Sequence, residues 1–259
     1  MHILEKKVRD AAAAGRYALI PFLTAGYPNQ DDFWADLVAL DEAGSDVIEI
    51  GVPFSDPVAD GPVVENASRQ VLADGVNLTY VIEGLRLRKG ILKAGIVLMG
   101  YLNPFLQYGM EKLARDAAEV GVHGLIIPDV PYEEAEPYRK ALAAEGIALI
   151  ALVGPNTSAE RMKLYDTVSE GYVYVVSVMG VTGERKTVAP GVTATMERAR
   201  SCFHLPLALG FGLSRPEQLD VLPKSAQPDA AVFGSALLNH LASGLSAEEF
   251  LKHWTDRNA

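Results

Sequence analysis

The sequence has little cysteine, no excess of basic charge and no long apolar run. Its single cysteine, Cys202, excludes an internal disulfide and a structural zinc site built from several cysteines. No stretch reaches the roughly 20 apolar residues that a membrane-spanning helix needs. The 33 acidic residues outnumber the 23 basic ones, and the net charge of -10 argues against a surface for nucleic acid or anionic lipid. We therefore expect a cytoplasmic protein that binds neither nucleic acid nor a membrane.

Eight short apolar runs recur along the 259 residues, and amphipathic segments separate them. The runs are nearly continuous in apolar character, which is typical of parallel strands covered on both faces. They cover residues 18–23, 47–51, 95–99, 124–128, 147–153, 172–177, 207–210 and 230–234. Units of about 32 residues match a βα repeat, so the sequence predicts one (β/α)8 TIM-barrel domain over residues 1–259. An open doubly wound sheet is the alternative, although no GxGxxG motif follows the first run.

An amphipathic segment precedes the first predicted strand. Ile3, Leu4 and Val8 fall on one side of a helix near the N-terminus. This helix is additional to the eight that follow the strands. We expect its apolar side to cover the bottom of the barrel, the end opposite the strand termini at which barrel enzymes carry out their chemistry.

The turns after the last two predicted strands are rich in glycine. The seventh run ends at Gly210 and continues with Phe211 and Gly212, and the eighth ends at Gly234 before Ser235. Barrel enzymes often hold a phosphate with these two loops. Glycines let backbone N–H groups approach an anion, and a helix that begins at Ser235 directs the positive end of its dipole to the same place. The sequence therefore predicts a phosphate site here.

Two carboxylates accompany the second predicted strand and its loop. Glu49 interrupts an apolar run, so we expect its side chain at the barrel mouth, where a buried carboxylate is costly unless it is protonated or paired. Asp60 lies in the following loop, and two carboxyl groups in unlike environments suit acid-base catalysis. Two structural alternatives remain open. In the first, neighbouring hydroxyls and backbone groups form the hydrogen bonds of the Glu49 carboxyl group. In the second, Asp60 caps the helix that starts near Pro62.

Histidine and lysine are missing from the predicted strand ends at the mouth. His123 and His204 precede the fourth and seventh strands, and the other three histidines lie in predicted helices. This distribution argues against a metal site and against a histidine general base. A Schiff-base mechanism lacks its lysine nucleophile.

Several apolar or aromatic residues lie near the predicted strand ends. They are Phe22, Met99, Tyr101, Ile126, Tyr174 and Phe211. Core packing explains any one of them. Together with the predicted phosphate site, they indicate a ligand with a flat apolar end and a phosphorylated end. The glycine-containing stretch 178–192, after the sixth strand, is a candidate lid.

Several motifs occur in a fixed order along the chain. The most specific is IEIGVPFSDPVADGPVVENAS at 48–68, which holds both carboxylates. The others are PFLTAGYP at 21–28, PDVPYEE at 128–134, GVTG at 180–183 and ALGFGLS at 208–214. On these motifs the sequence resembles the tryptophan synthase α chain family over essentially its whole length.

The resemblance implies a lyase that cleaves indole-3-glycerol phosphate to indole and glyceraldehyde 3-phosphate by a retro-aldol step. It implies that Glu49 is the general acid-base group, that Asp60 stabilises the indolenine through the ring N–H, and that Tyr174 stands beside Glu49. The indole end would be lined by Phe22, Met99, Tyr101, Ile126, Asp129 and Phe211. The phosphate would be held by Gly183, Gly212, Gly234 and Ser235, with Thr182 of the lid closing onto Asp60. Neither a metal nor an organic cofactor is implied for this chain.

The resemblance also implies a partner. Residues 53–60 and 103–105 are similar to the surface that binds a β chain carrying pyridoxal phosphate, in an αββα complex. Pyridoxal phosphate would belong to that partner. One position departs from the family pattern, because Val178 stands where the best-known members have an arginine two residues before Gly-Val-Thr-Gly.

Two other functions stay open from the residues alone. One is a barrel enzyme, such as an isomerase, that acts on another sugar phosphate and shares only the phosphate site. The other is a regulatory subunit that binds the ligand without catalysis. The unit containing Glu49 and Asp60 distinguishes the lyase from both.

Overall fold

The computed structural model describes residues 1–176, 191–210 and 212–258, and these contain one sheet of parallel strands. The strands are β1 (Ala18–Thr24), β2 (Val47–Gly51), β3 (Gly95–Met99), β4 (Val122–Ile126), β5 (Ala148–Leu149), β6 (Ala151–Val153), β7 (Val173–Val176), β8 (Leu207–Gly210) and β9 (Ala230–Phe233). Their order across the sheet is β5-β4-β3-β2-β1-β9-β8-β7-β6. The predicted lid, apart from its last two residues, lies outside the described residues.

The sheet closes into a barrel of eight strand positions. Only Ile150 separates β5 from β6, so the two ends of the sheet are consecutive pieces of one strand. The first piece pairs with β4 and the second pairs with β7. The predicted (β/α)8 barrel is therefore confirmed, and the open doubly wound sheet is wrong.

Helices connect the strands, as the amphipathic segments predict. In the described part of the chain they are α1 (Ile3–Ala13), α2 (Gln30–Glu42), α3 (Pro62–Ala73), α4 (Leu78–Arg86), α5 (Leu102–Tyr108), α6 (Met110–Glu119), α7 (Glu136–Ala143), α8 (Ala159–Asp166), α9 (Val192–Cys202), α10 (Ser235–Ala242) and α11 (Ala247–Asn258). Short 3-10 turns cover Pro216–Leu219 and Lys224–Ala226. None of the described helices has the length and apolar content to cross a bilayer.

Successive strand residues face the barrel interior and the surrounding helices in turn. On β2, Val47 belongs to the interior cluster, whereas Ile48 and Ile50 pack with the outer helices. On β3, Val97 faces inward and Leu98 outward. Burying each such aliphatic side chain stabilises the fold by about 1.5–3 kcal/mol. A polar residue at an inward position therefore stands out, and β2 carries one at Glu49.

The N-terminal helix α1 closes the bottom of the barrel. Its Leu4 and Val8 are fully buried and belong to the interior cluster. Gly95 and Gly124 make room for Leu4, because a Cβ at either would come within 2.5 or 2.9 Å of its methyl groups. The expected extra helix is confirmed. The placement of Ile3 on its buried side is wrong, since Ile3 is 43% exposed and neighbouring helix residues differ by about 100° around the axis.

Glycine turns bring the chain from several helices into the next strand. Gly44, after α2, has a φ of +102°, a left-handed conformation that favours glycine. These turns lie at the bottom of the barrel. The loops that follow the strands lie at the opposite end, and they build the mouth described next.

Candidate active site

Glu49 lies in the middle of β2 and faces the barrel interior. It pairs in register with Phe22 of β1 and Val97 of β3, which both belong to the interior cluster. Its side chain is fully buried. Burial raises the pKa of Glu49 to about 8, while a hydrogen bond from Tyr172 opposes part of that rise. At neutral pH the group is therefore mostly a protonated acid.

The two oxygens of Glu49 differ in their contacts. The Tyr172 hydroxyl donates a hydrogen bond to Oε1 at 2.7 Å. Oε2 is buried and has no hydrogen-bond partner among the described residues. Because Oε1 accepts from Tyr172, the acidic proton belongs on Oε2, which is the oxygen able to donate it. The structural alternative for Glu49, full satisfaction by its neighbours, holds for one oxygen only.

Tyr172 was not predicted as a site residue. The predicted site residue was Tyr174 of β7. Tyr172 immediately precedes that strand, and residues two apart along an extended chain share a face. Both tyrosines belong to the interior cluster, and that period-two rule was the available signal. Burial raises the pKa of Tyr174 well above its ordinary value, and the charges of Glu49 and Asp60 raise it further. The Tyr174 hydroxyl thus lies within electrostatic reach of both carboxyl groups.

Asp60 lies in the loop between β2 and α3, at the mouth of the barrel. The residue that caps α3 is Gly61, with no side-chain hydrogen bond, so the alternative of Asp60 as a helix cap is wrong. Burial raises the pKa of Asp60 to about 6, a hydrogen bond with Tyr101 lowers it, and the charge of Glu65 raises it. Asp60 is therefore mostly ionised at neutral pH, in contrast to Glu49.

Tyr101 anchors the loop that carries Asp60. It stands at the N-terminal end of α5, and its hydroxyl accepts a hydrogen bond from the Ala59 backbone N–H at 2.9 Å. Its ring packs on Phe54 of the same loop, with ring centroids 5.3 Å apart. The strand 3 loop thus holds the strand 2 loop in place. This contact brings a predicted substrate-binding residue to a predicted catalytic one.

A cavity of about 50 Å³ at the mouth brings seven predicted site residues together. They are Phe22, Asp60, Met99, Tyr174, Gly212, Gly234 and Ser235. Its volume is well below the roughly 300–1,000 Å³ of ordinary small-ligand sites.

The remaining predicted residues have mixed placements. Tyr101 lines a smaller cavity that adjoins the first and shares Asp60 with it. Ile126 is fully buried in the barrel interior. Asp129 lies outside the mouth cavity, where its Oδ1 accepts a hydrogen bond from the Leu102 N–H at 2.9 Å. The predicted residues Thr182, Gly183 and Phe211 lie outside the described part of the chain.

The two glycine-containing turns of the predicted phosphate site leave space beside the backbone. Gly212 has a φ of +86° and no atom within 4 Å of where a Cβ would stand. α10 begins at Ser235, and Gly234 precedes it as a cap without a side-chain hydrogen bond. The first N–H groups of a helix lack partners within the helix and lie at the positive end of its dipole. This geometry suits an anion.

No group of three or more histidine, cysteine, aspartate and glutamate side chains in the described residues is arranged to hold a metal ion. His123 lies inside β4 rather than ahead of it, and its Nδ1 accepts the Ile96 N–H at 3.2 Å. Burial lowers the pKa of His123. It is therefore a neutral, structural histidine.

Sequence comparisons place this site in a known context. A family model described as tryptophan synthase alpha chain matches residues 8–256. The tryptophan synthase alpha chain of Desulfovibrio desulfuricans is 69% identical over 254 residues, which is 98% of this chain and 100% of that protein. That of Nitratidesulfovibrio vulgaris is 59% identical, over 98% of both chains.

Solved structures agree with the sequence matches. Tryptophan synthase from Mycobacterium tuberculosis superposes with a TM-score of 0.86 at 32% identity, over 97% of this chain and 98% of that one. The tryptophan synthase subunit alpha from Legionella pneumophila gives a TM-score of 0.83 at 31% identity, over 96% and 94%. The likeness therefore extends over nearly the whole chain.

Proposed function

This chain belongs to the tryptophan synthase alpha chain family, so it is a lyase that cleaves indole-3-glycerol phosphate in tryptophan biosynthesis, and we propose that Glu49 and Asp60 carry out this cleavage. The products are indole and glyceraldehyde 3-phosphate. One observation carries the assignment to these residues: a protonated carboxyl group is buried on a barrel strand, beside a mouth that an ionised carboxylate lines.

Glu49 acts first as an acid and then as a base. Its Oε2 proton passes to C3 of the indole ring, which leaves a carboxylate and a cationic ring. The carboxylate then takes the proton of the glycerol hydroxyl next to the ring. As that oxygen forms a carbonyl, the bond between C3 and the glycerol carbon breaks, and its electron pair returns to the ring. Glu49 ends the cycle protonated, as it began.

Asp60 stabilises the charge that the first step creates. Protonation at C3 places positive charge on the ring, and the ring N–H is where a neighbouring anion gains most from it. With a pKa near 6, Asp60 is an anion when Glu49, with a pKa near 8, is still an acid. The two groups therefore occupy the required protonation states over the same pH range.

The rest of the mouth positions the two ends of the substrate. Phe22 and Met99 offer apolar surface for the indole, and both line the mouth cavity with Asp60. The N-terminus of α10 and Gly212 take the phosphate. We propose that Thr182, Gly183 and Phe211 complete the site from the loops after β7 and β8, and that Ile126 and Asp129 support the indole end.

No cofactor bound by this chain enters the scheme, because the protonated ring accepts the electron pair. The partner of this family is the β chain, and we propose an αββα complex in which that partner carries pyridoxal phosphate. Val58, in the loop after β2, is 86% exposed, and Leu106 of α5 is 49% exposed. These apolar side chains near the mouth support a docking surface over residues 53–60 and 103–105.

We also propose that residues 1–259 work as one domain in the cytoplasm. All described strands belong to a single sheet, which supports one domain. The single cysteine is free and suits a reducing compartment.

The decisive experiment measures indole release from indole-3-glycerol phosphate by the purified chain, with and without a β chain. We expect Glu49→Gln to lower turnover by about 10²–10⁴-fold, because it removes the only transferable proton at that position. Binding of glycerol 3-phosphate, a probe of the phosphate site, should be kept. Glu111→Gln, an exposed change on α6, is the matched control and should behave as wild type.

Near-normal turnover by Glu49→Gln would overturn the assignment of the acid. The partner is tested in the same assay. We expect the β chain to raise turnover by ordering the strand 2 loop and the lid, and unchanged turnover on its addition would contradict that coupling.

A further inference from the structure

A second and larger cavity, of about 370 Å³, lies on the outer side of the barrel. It opens between α7 and α8, over the strand that is broken at Ile150. β4 pairs with β5 only through Gly124 and Leu125, and β6 pairs with β7 instead. The outward side chains Leu149 and Ala151 are consequently half-buried, whereas the outward residues of β2 are fully buried. The gap in the barrel wall thus leaves an apolar floor uncovered.

The walls of this side cavity combine aromatic rings with charge. The rings of Tyr132 and Tyr165 stack with centroids 5.3 Å apart at an angle of 29°. Val168 adds apolar surface from the segment after α8. The volume is at the lower end of the range of small-ligand sites, about 300–1,000 Å³. These features suit a molecule with one or two fused flat rings.

The charged groups of the cavity differ in the hydrogen bonds and ion pairs that they form. Both terminal nitrogens of Arg161 donate to the Glu133 carboxylate at 2.8 Å, so that charge is neutralised. The Asp129 carboxylate accepts the Leu102 N–H. Arg139 is half-buried, and no group in the described part of the chain forms a hydrogen bond or ion pair with its guanidinium; the neighbouring Glu136 is bonded to Lys140 instead. The charge of Arg139 helps to lower the pKa of Glu136, but its guanidinium N–H groups remain available to a ligand in the cavity.

We propose that this side cavity is a second binding site for a small aromatic acid with a single carboxylate, distinct from the mouth cavity although Asp129, proposed above to support the indole end, also lines it. One planar guanidinium matches one carboxylate through two parallel hydrogen bonds. A phosphate dianion would leave a charge uncompensated, because Arg161 is already paired. The stacked tyrosines and the floor around Leu149 take the ring.

The test is calorimetric titration of the full chain with 2-naphthoate, and with 2-naphthamide as a neutral molecule of the same shape. We expect naphthoate to bind at least tenfold more tightly than the amide. Arg139→Gln should weaken naphthoate binding by about tenfold or more, the effect of losing a charge-assisted hydrogen bond. Lys163→Gln removes the same charge from an exposed position of α8 that does not line the cavity, and should leave binding unchanged.

Val168→Trp fills the cavity and should abolish binding while the thermal unfolding curve stays cooperative. Equal affinity for the acid and the amide, or equal effects of Arg139→Gln and Lys163→Gln, would overturn the proposal. So would competition by glycerol 3-phosphate, since it would place the probe at the mouth. None of these measurements depends on turnover, so their outcome is independent of the roles given to Glu49 and Asp60.

Discussion

The two carboxyl groups proposed for catalysis are held by very different parts of the molecule. Glu49 is fixed in β2, with strands paired on both sides and its side chain fully buried. Asp60 lies in a partly exposed loop, anchored through Tyr101. On the strand, burial opposes ionisation, so Glu49 is a neutral acid. On the loop, Asp60 is an anion that remains near water. The fold separates two chemically similar groups by placing them at different depths.

The largest expected effect comes from changing the length of each side chain. Glu49→Asp shortens a group whose Cα cannot move, which displaces the carboxyl by roughly 1 Å and should cost about 10²-fold in turnover. Asp60→Glu lengthens a group on a loop that can adapt, and we expect a loss of less than about tenfold. Steady-state indole release measures both. Equal losses would show that the strand and the loop are equally rigid.

The second expectation concerns pH. Below about pH 6 Asp60 gains a proton and no longer stabilises the cationic ring, and above about pH 8 Glu49 loses the proton that it must donate. The plot of kcat/KM against pH should therefore be a bell with limbs near these two values. Asp60→Asn should lower the whole curve and remove the acid limb. Persistence of that limb in the variant would assign it to another group.

The third expectation concerns stability. The pKa of Glu49 is about 8 in the folded state against an ordinary 4.5, so the folded chain keeps a proton that the unfolded chain releases between these values. Its stability should fall as pH rises across this interval, at about 1.4 kcal/mol per unit at most. Glu49→Gln removes this titration. Urea unfolding should thus show that the free energy of unfolding of the variant rises relative to that of wild type from pH 5 to pH 8.

Glu111→Gln is the control for that measurement, since an exposed group should give a difference independent of pH. A constant difference for Glu49→Gln as well would mean that Glu49 titrates normally. The expected result has a functional meaning, because the residue proposed as the catalytic acid would be one that costs the fold stability at alkaline pH.

The smallest expected effect is that of Tyr172→Phe. The hydrogen bond from Tyr172 lowers the pKa of Glu49, so its loss should move the alkaline limb of the pH profile to higher pH. Turnover at neutral pH should fall by no more than about tenfold, in line with about 1 kcal/mol for one hydrogen bond. Tyr138→Phe, on α7, is the control. An unmoved limb would show that Tyr172 only fills space.

The sequence was informative where local pattern determines structure. Five residues of apolar strand around Glu49 predicted both the strand and its inward carboxyl group. The interruption at Ile150, between β5 and β6, was not predictable, because it depends on how these two strands pair with β4 and β7. The hydrogen bond from Tyr172 depends likewise on the stagger of β7 against β2. The side cavity depends on the spacing of α7 and α8, which no single segment encodes.

Because α1 closes the bottom of the barrel, it restricts how substrate and products enter and leave. Leu4 and Val8 fill the lower end of the barrel, so the active site opens at the mouth and is closed below. Substrate enters and both products depart over the same rim. Whatever sits on that rim decides where a small, uncharged product such as indole goes next, and the exposed Val58 and Leu106 lie there. Truncation of α1 would remove Leu4 and Val8 and leave the lower end of the barrel interior uncovered.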